Sequence, residues 1–134
     1  MGFKDISQIA GSAMAAQTVR MNTIASNLAN ANAVATTEAD AYRARKPVFA
    51  AMLGDEGAAR VQVLDVVQSS EPLRRMHEPD NPLADADGMV YYANVNEVAE
   101  MADMMAASRA FETNVEVMGR IKSMQASLLK LGEG

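Results

Sequence analysis

Residues 104–118 have the sequence MMAASRAFETNVEVM, in which large apolar side chains recur every seven residues. Met104, Phe111 and Met118 share one position of this repeat, and Val115 lies between the last two. The stripe continues toward the carboxyl terminus through Ile121, Met124, Leu128 and Leu131. Apolar side chains at this spacing are typical of a helix that packs along another helix. The pattern therefore predicts a long amphipathic helix with one partner-facing seam.

The amino-terminal region carries a matching apolar repeat. Its two heptad positions are filled by Phe3, Ala10, Ile24 and Ala31 and by Met14, Met21 and Leu28. Two such stripes at the ends of one chain predict that the terminal helices pack together as a coiled-coil-like pair. The polar residues Gln17 and Ser108 interrupt the stripes, which favours control of register over maximal stability.

The first helix is expected from about Asp5 to about Ala31. Asp5 and Gln8 have the spacing of a capping box, and good helix formers follow them. Beyond Asn30, short polar and β-branched residues compete with the helical backbone, so the helix is expected to end there.

The last helix is expected from Asn94 to about Leu131. Asn94 is a favourable N-cap residue with Glu97 three positions later, and Gly132 offers the usual stop signal. Ordering so long a helix carries a large entropy cost, which one partner helix only marginally offsets. More of its surface is therefore expected to be buried against neighbouring molecules.

The segment between the helices has β and turn character. Residues 42–53 and 61–67 are rich in alternating or β-branched residues and, with turn residues 54–57 between them, predict a hairpin. Residues 71–88 are rich in Pro, Asp and Gly and are expected to form turns, and residues 89–92 a short strand.

These elements predict an α+β fold that is mainly α, with a small central insert containing the β-hairpin. We divide the chain into an amino-terminal helix in residues 1–33, a β-containing outer insert in residues 34–93 and a carboxyl-terminal helix in residues 94–134. The two helices would together form an inner helical domain.

Composition argues against several classes of function. The net charge is −5 and no segment is strongly basic, so nucleic acid is not an expected partner. No apolar run is long enough to cross a membrane, and the amino terminus lacks the pattern of a signal peptide. Composition alone would therefore place the chain in the cytoplasm. The absence of cysteine excludes disulfides and thiolate chemistry.

Residues 80–88 resemble part of a calcium-binding loop, but the resemblance is incomplete. With Gly88 at the sixth position, Leu83 and Asn94 occupy the anchoring positions that need Asp and Glu. His77 has no nucleophile tied to it by a motif, and Gly54 and Gly57 lack the Lys of a phosphate-binding loop. We therefore expect that the chain is not an enzyme. We also expect no catalytic residue, bound metal, cofactor or small-molecule substrate.

The chain contains 11 methionines, which allow two compatible interpretations. Those near the apolar stripes could fill a helix-pair core or supply a surface that adapts to several partners, because the unbranched thioether repacks easily. They are Met14, Met21, Met101, Met104, Met105, Met118 and Met124.

Five segments together resemble the flagellar basal-body rod proteins of bacteria, and the resemblance covers nearly the whole chain. They are SNLANAN at 26–32, YRARKPVF at 42–49, HEPDNPLADADG at 77–88, VYYANVN at 90–96 and EMADMMAASRAFETNVEV at 100–117. The signature residues are Asn27, Asn30, Asn32, Tyr42, Arg43, Pro79, Pro82, Asp85, Gly88, Asn94, Val95 and Asn96. Ala93 departs from the family, which usually has Pro there, and Met89 and Phe111 replace a common aromatic residue and a common Tyr.

The resemblance is strongest to proximal rod subunits, and it implies a structural subunit of the hollow, torque-transmitting rod. Its partners would be copies of itself, other proximal and distal rod subunits, the inner-membrane ring or its adaptor, and the flagellar type III export apparatus in transit. Export by that route needs no cleaved signal peptide. The resemblance therefore implies a location in the rod that spans the periplasm, and not in the cytoplasm.

The helical seam is the expected subunit interface. It comprises Phe3, Met14, Met21, Ile24, Leu28, Met104, Phe111, Val115, Met118, Ile121, Met124, Leu128 and Leu131. Two alternatives remain at this level: a cytoplasmic helical-hairpin adaptor that binds a partner helix, and a calcium-regulated binding module centred on residues 80–88.

Overall fold

The chain has a long helix at each end and a small β region between them, in a computed structural model that describes residues 2–55 and 57–133. The elements are α1 (Phe3–Ala29), β1 (Val34–Ala35), β2 (Arg45–Leu53), β3 (Ala59–Gln68), β4 (Arg74–His77), β5 (Met89–Tyr92) and α2 (Glu97–Glu133). The predicted α+β class is confirmed. Among the described residues, neither helix combines the length and apolarity that a membrane span requires.

Helix α1 begins earlier than the sequence predicted. Gly2 is the N-cap residue, and its N–H donates a hydrogen bond of 2.9 Å to Oδ2 of Asp5. The predicted pairing of Asp5 with Gln8 as a capping box is therefore wrong, because Asp5 already lies in the first turn. At the other end, Asn30 Nδ2 donates to the carbonyl of Ser26 at 2.8 Å and caps the last turn. The 27 residues of α1 span about 40 Å.

Helix α2 begins after Asn96, so the prediction of Asn94 as its N-cap is wrong. Asn96 Oδ1 accepts the N–H of Ala99 at 3.2 Å, and the Asn96 carbonyl accepts the N–H of Glu100 at 2.9 Å. The predicted stop at Gly132 is also wrong, because the helix continues to Glu133. Within the described residues, positive φ occurs only at Gly57 and Gly88, so Gly132 does not adopt the left-handed cap conformation.

The predicted hairpin is confirmed as the antiparallel pair β2 and β3. Pairing runs from Arg45 opposite Gln68 to Leu53 opposite Ala59, and a bulge leaves Leu64 as the extra residue on β3. In the connecting turn, the Gly57 N–H donates to the Gly54 carbonyl at 2.9 Å. Glu56, part of the predicted turn, lies outside the described residues.

A second, smaller sheet has the strand order β1-β5-β4. The predicted strand at residues 89–92 is confirmed as β5, whereas the prediction that residues 71–88 form only turns is wrong for Arg74–His77. Arg74 and Arg75 lie directly opposite Tyr92 and Tyr91, and their guanidinium carbons lie 5.4 and 5.7 Å from the ring centroids. These cross-strand cation–π contacts stabilise a strand that lacks strong local β character.

The compact core is small and lies where the smaller sheet meets the helix ends. It consists of Ala31, Ala44, Ala93 and Val95, with Tyr42 packed against them. Small side chains dominate this cluster, so the backbones of three different segments approach one another closely: the one after α1, the one before β2 and the one between β5 and α2.

Helix α1 is the central element of the fold. Asn32, just beyond its end, contacts Glu97 at the start of α2, and Phe3 at its beginning lines one surface groove with Leu128. The two helices are therefore antiparallel. The hairpin lies along another side of α1, where Gln8 Oε1 accepts a hydrogen bond of 2.6 Å from Arg60.

Candidate assembly surfaces

A buried asparagine joins α1 to the base of the hairpin. Asn27 is only 1% exposed, and its Oδ1 accepts hydrogen bonds from the Tyr42 hydroxyl at 2.8 Å and the Arg45 N–H at 2.9 Å. Its Nδ2 donates to the Arg45 carbonyl at 2.8 Å. The Tyr42 oxygen also lies 2.9 Å from Ser26 Oγ. This network fixes the direction in which β2 leaves α1.

Other signature residues hold the start of α2 against the same junction. Asn94 Oδ1 accepts the Ala44 N–H at 2.7 Å, and its Nδ2 donates to the Glu71 carbonyl at 2.8 Å. Arg43 donates to the same Glu71 carbonyl at 3.1 Å. Asn32 Nδ2 donates to Glu97 Oε1 at 3.1 Å. Six predicted signature residues therefore meet around one junction: Asn27, Asn32, Tyr42, Arg43, Asn94 and Val95. Asn96 caps the first turn of α2 instead.

Pro79, Pro82, Asp85 and Gly88 belong instead to the loop between β4 and β5. Asp85 Oδ1 accepts the N–H groups of Asp87 and Met89, both at 2.9 Å. Gly88 has φ of 74°, and a Cβ there would lie 2.9 Å from His77 Cε1. These contacts give the loop a defined conformation. No group of three potential metal-ligating side chains forms in the described parts of the chain.

A carboxylate in this loop is linked to the smaller sheet. Glu78 Oε1 accepts the Tyr92 hydroxyl at 2.8 Å, and Oε2 accepts Asn81 Nδ2 at 2.9 Å. The hydrogen bond from Asn81, and then that from Tyr92, lowers the pKa of Glu78. The hydrogen bond to Glu78 raises the pKa of Tyr92.

The predicted helical seam is covered unevenly in the single chain. Ile24 and Ile121 are buried. Seven more are half-buried: Phe3, Met14, Met21, Leu28, Met104, Phe111 and Met118. Four are exposed, at 46% for Val115, 54% for Met124, 54% for Leu128 and 77% for Leu131. Most of the uncovered seam therefore lies in the last third of α2.

Contacts between the helices also involve small and charged residues that the heptad pattern did not identify, namely Ala16, Ala107, Arg20 and Asp103. Ala107, in the first third of α2, is 0% exposed, and Ala16 on α1 is 3% exposed. Arg20 and Asp103 form an ion pair at 3.5 Å, and Ser108 Oγ lies 3.8 Å from Met21 Sδ. Alanines permit close approach of two helices, and their low exposure is visible only after folding.

Comparison with known proteins identifies two matching family models. Residues 8–35 match the flagella basal body rod protein model, and residues 86–131 match the C-terminal model of flagellar basal body rod FlgEFG proteins. The flagellar basal-body rod protein FlgC of Escherichia coli O6:H1 is 45% identical over 134 residues, covering 99% of this chain and 100% of that protein. FlgC of Salmonella typhimurium strain LT2 is 43% identical, with the same coverage.

FlgC of Agrobacterium fabrum is 35% identical over 127 residues, covering 93% of this chain and 91% of that protein. Similarity therefore extends from end to end and includes the insert. The chain belongs to the FlgC family of flagellar basal-body rod proteins.

The matched segments map onto particular elements of this FlgC family member. The first covers most of α1 and the junction after it, and the second covers the end of the β4–β5 loop, β5 and nearly all of α2. The β2–β3 hairpin lies between the two segments. These families and relatives are named for a part of the flagellar rod, and none of the names indicates a catalytic activity.

Proposed function

We propose that this chain is a structural subunit of the proximal rod of the bacterial flagellar basal body. Full-length similarity to FlgC proteins supports this proposal, and the uncovered seam of α2 is the structural observation that carries it. Terminal helices would join copies and relatives of the chain, and the insert in residues 34–93 would form an outer domain around the inner helices of residues 1–33 and 94–134.

The proposed assembly mechanism uses the exposed seam residues. Met124, Leu128 and Leu131 leave apolar surface in water in the single chain. Its burial against neighbouring helices would contribute about 1.5–3 kcal/mol for each fully buried side chain. In the rod, the terminal helices would pack in coiled-coil fashion, and heterologous contacts that do not close would build a hollow tube that transmits torque.

Folding of the subunit would be coupled to assembly, because the end of α2 buries little apolar surface in the single chain. The 37 residues of α2 extend about 55 Å. In the last third of the helix, the described residues after Ile121 are exposed to solvent. We propose that this end is only partly ordered in free subunits and becomes fully helical against a neighbour. The subunit would be exported through the flagellar type III apparatus without a cleaved signal peptide. Polymerisation would then be delayed until the subunit reaches the rod in the periplasm.

The proposed partners are copies of the chain, other proximal and distal rod subunits, and the inner-membrane ring or its adaptor. Complementation tests the proposal: a motile bacterium lacking its own FlgC is given this chain, and basal bodies are isolated and probed for it. Restored swimming and the chain's presence in the rod fraction are expected. A soluble chain that never enters basal bodies would contradict the proposal and favour the cytoplasmic adaptor.

A further inference from the structure

Each of the two long helices has a glycine well inside its ends, Gly11 in α1 and Gly119 in α2. A glycine in a helix interior is less stable than an alanine, because its backbone loses more freedom on folding. A Cβ added at either position would meet no heavy atom within 4 Å outside its own stretch of helix. Packing within the chain therefore requires neither glycine.

The two glycines lie at the same level of the antiparallel helix pair. Ser108 Oγ lies 3.8 Å from Met21 Sδ, which fixes the register at that point. Gly11 comes ten residues before Met21 on α1. Ten residues after Ser108 on α2 comes Met118, the neighbour of Gly119. Both helices therefore have an intrinsically weak position at the same place.

Close packing of the helix pair ends at this level. Ala10 is 4% exposed and Ile121 is 6% exposed. On α1 before Ala10 and on α2 after Ile121, no described residue is buried. We call these outer segments, residues 3–9 of α1 and 122–133 of α2, the distal end.

The two segments of the distal end meet at a shallow apolar groove. Phe3 of α1 lines this groove with Leu128 and Leu129 of α2. Leu128 and Leu129 are still 54% and 70% exposed. The segments therefore contact each other, but little buried apolar area ties them to the inner part of the helix pair.

Ser12 makes α1 prone to bend beside Gly11. Its Oγ donates a hydrogen bond of 2.8 Å to the carbonyl of Ile9 and accepts the N–H of Val61 at 3.2 Å. Helices bend sharply at Gly–Ser pairs and where a side-chain hydroxyl bonds to a helix carbonyl. The bond from Val61 also attaches α1 to the hairpin, so the hairpin holds the inner part of α1.

The hairpin tip constrains the distal end only weakly. A cavity of about 270 Å³ lies between them, lined by Lys4 and Asp5 of α1 and by Gly54 of the tip. Arg60, which donates to Gln8, reaches across beside this cavity. The distal end of α1 therefore has room to move relative to the hairpin.

An ion pair spans the glycine of α2. Arg120 Nη2 lies 2.6 Å from Glu116 Oε1, and the two side chains are 75% and 64% exposed. An exposed pair at this spacing contributes little to stability, and salt screens it. It therefore does not offset the weakness of the helix at Gly119.

We propose that Gly11 and Gly119 form a paired hinge about which the distal end moves as one unit in the free chain. The inference rests on the proposed function and deepens it, because the partly ordered part of the subunit then begins at a defined level and includes the start of α1. The exposed seam residues Leu128 and Leu131 lie in the distal end. The hinge lets them turn toward neighbouring subunits while the hairpin stays fixed on the inner part of α1.

Distances between paired spin labels test the hinge, because the chain has no cysteine of its own. Labels in the double variant Thr113→Cys/Ser127→Cys lie on either side of Gly119 and form the spanning pair. Labels in Ala99→Cys/Thr113→Cys lie on one side of it and form the reference pair. All three positions are exposed, and each pair is separated by about 21 Å of helix. Double electron–electron resonance should give a broader distance distribution for the spanning pair.

Alanine variants of the glycines identify the cause of this breadth. Gly119→Ala should narrow the distribution of the spanning pair to the width of the reference pair, because it removes the weak position. Gly11→Ala should also narrow it, although it changes the other helix, because the two segments of the distal end move together.

Gly132→Ala is the matched control. Gly132 lies near the end of α2, and an added Cβ there also meets nothing within 4 Å. The substitution raises the helix propensity of the distal end as Gly119→Ala does, but it leaves the hinge unchanged. The distribution of the spanning pair should therefore stay broad in this variant.

Three results would overturn the proposal. Equal narrowing by Gly132→Ala and Gly119→Ala would show fraying of the helix end in place of a hinge. A spanning pair as narrow as the reference pair in the chain with its native glycines would show that the helix is rigid there. A Gly11→Ala variant with an unchanged distribution would show that the hinge is not paired.

This outcome is separable from that of the proposed function. A chain that restores motility but has a spanning pair as narrow as the reference pair would leave the rod function standing and overturn the hinge. The predicted distributions in a chain that never enters basal bodies would support the hinge and contradict the rod function.

Discussion

The hydroxyl of Tyr42 donates a hydrogen bond of 2.8 Å to Oδ1 of Asn27, a side chain that is 1% exposed. The same Asn27 amide pairs with both backbone groups of Arg45. One side chain thus connects the end of α1, the segment after it and the first residue of the hairpin. The orientation of the hairpin relative to the helices depends on this connection.

Asn27→Ala should destabilise the chain, because it leaves the Arg45 backbone groups and the Tyr42 hydroxyl without their partner. The expected loss is about 1–3 kcal/mol in the free energy of unfolding, measured by urea denaturation. Asn32→Ala is the matched control, since Asn32 is exposed and makes one hydrogen bond, to Glu97. Equal losses in the two variants would show that Asn27 does not fix the junction.

Gly88→Ala should destabilise the loop between β4 and β5 for two reasons. Gly88 has φ of 74°, and an added Cβ would lie 2.9 Å from His77 Cε1 and 3.1 Å from Pro79 Cβ. Gly57→Ala, where φ is 79° and no heavy atom lies within 4 Å of the added Cβ, measures the backbone cost alone, about 1–2 kcal/mol.

Gly88→Ala should lower the stability more than Gly57→Ala does, and His77→Ala in the Gly88→Ala background should recover part of the difference, because the contact with Pro79 Cβ remains. His77→Ala alone should be tolerated, since His77 is exposed. Thermal unfolding of the four variants tests these statements. Failure of the second substitution to recover any stability would exclude the steric part of the argument.

The pH dependence of stability should carry a contribution from Glu78. Its folded-state pKa is lowered from the ordinary value of 4.5, first by Asn81 and then by Tyr92. The stabilisation is therefore present above that ordinary value and is lost as the pH falls through the lower, folded-state pKa. Asn81→Ala should raise the Glu78 pKa more than Tyr92→Phe does, as measured by NMR titration of the carboxyl carbon. The reverse order would contradict the assignment.

Tyr92 should contribute at the alkaline end. Its hydrogen bond to Glu78 raises its folded-state pKa above the ordinary value of 10.0. This contribution is complete below that ordinary value and is lost as the pH rises through the folded-state pKa. Tyr92→Phe should remove this loss from the alkaline unfolding profile, and an unchanged profile would contradict the prediction.

Substitutions in the seam should separate folding from assembly. Leu128 is 54% exposed, so Leu128→Asp should change the free energy of unfolding by only about 0.5 kcal/mol while abolishing rod assembly and swimming. Phe111 is half-buried, so Phe111→Asp should destabilise the chain as well as prevent assembly. Ser123→Asp is the exposed control on the same helix. Motility at the level of the unmodified chain with Leu128→Asp would place the seam elsewhere.

The sequence predicted the elements whose signals are local. The seven-residue spacing of apolar side chains was sufficient to predict α1 and α2. Alternating and β-branched residues were sufficient to predict the strands of the hairpin. Strand β4 could not be found in this way, because Arg74 and Arg75 become strand residues by pairing with Tyr92 and Tyr91 of β5. The N-cap of α2 was predicted at Asn94 instead of Asn96, because the two asparagines carry the same local signal. Tertiary bonds to Ala44 and Glu71 engage Asn94.

The candidate surfaces were only partly predictable for a related reason. Heptad spacing identifies residues that face a helix, but it does not reveal which of them the chain's own partner helix covers. Coverage depends on where α1 begins and on the antiparallel register, so Leu128 and Leu131 remain exposed while Ile121 is buried. Met101 and Met105 lie off the seam, and their exposure became visible only with the position of α1.

The most direct test of the central claim is a density map of basal bodies in which this chain replaces the native subunit of a motile bacterium. The account predicts that the chain lies in the proximal rod with Met124, Leu128 and Leu131 packed against helices of neighbouring subunits. Absence of the chain from the rod, or a rod in which these three side chains contact no neighbouring subunit, would contradict it.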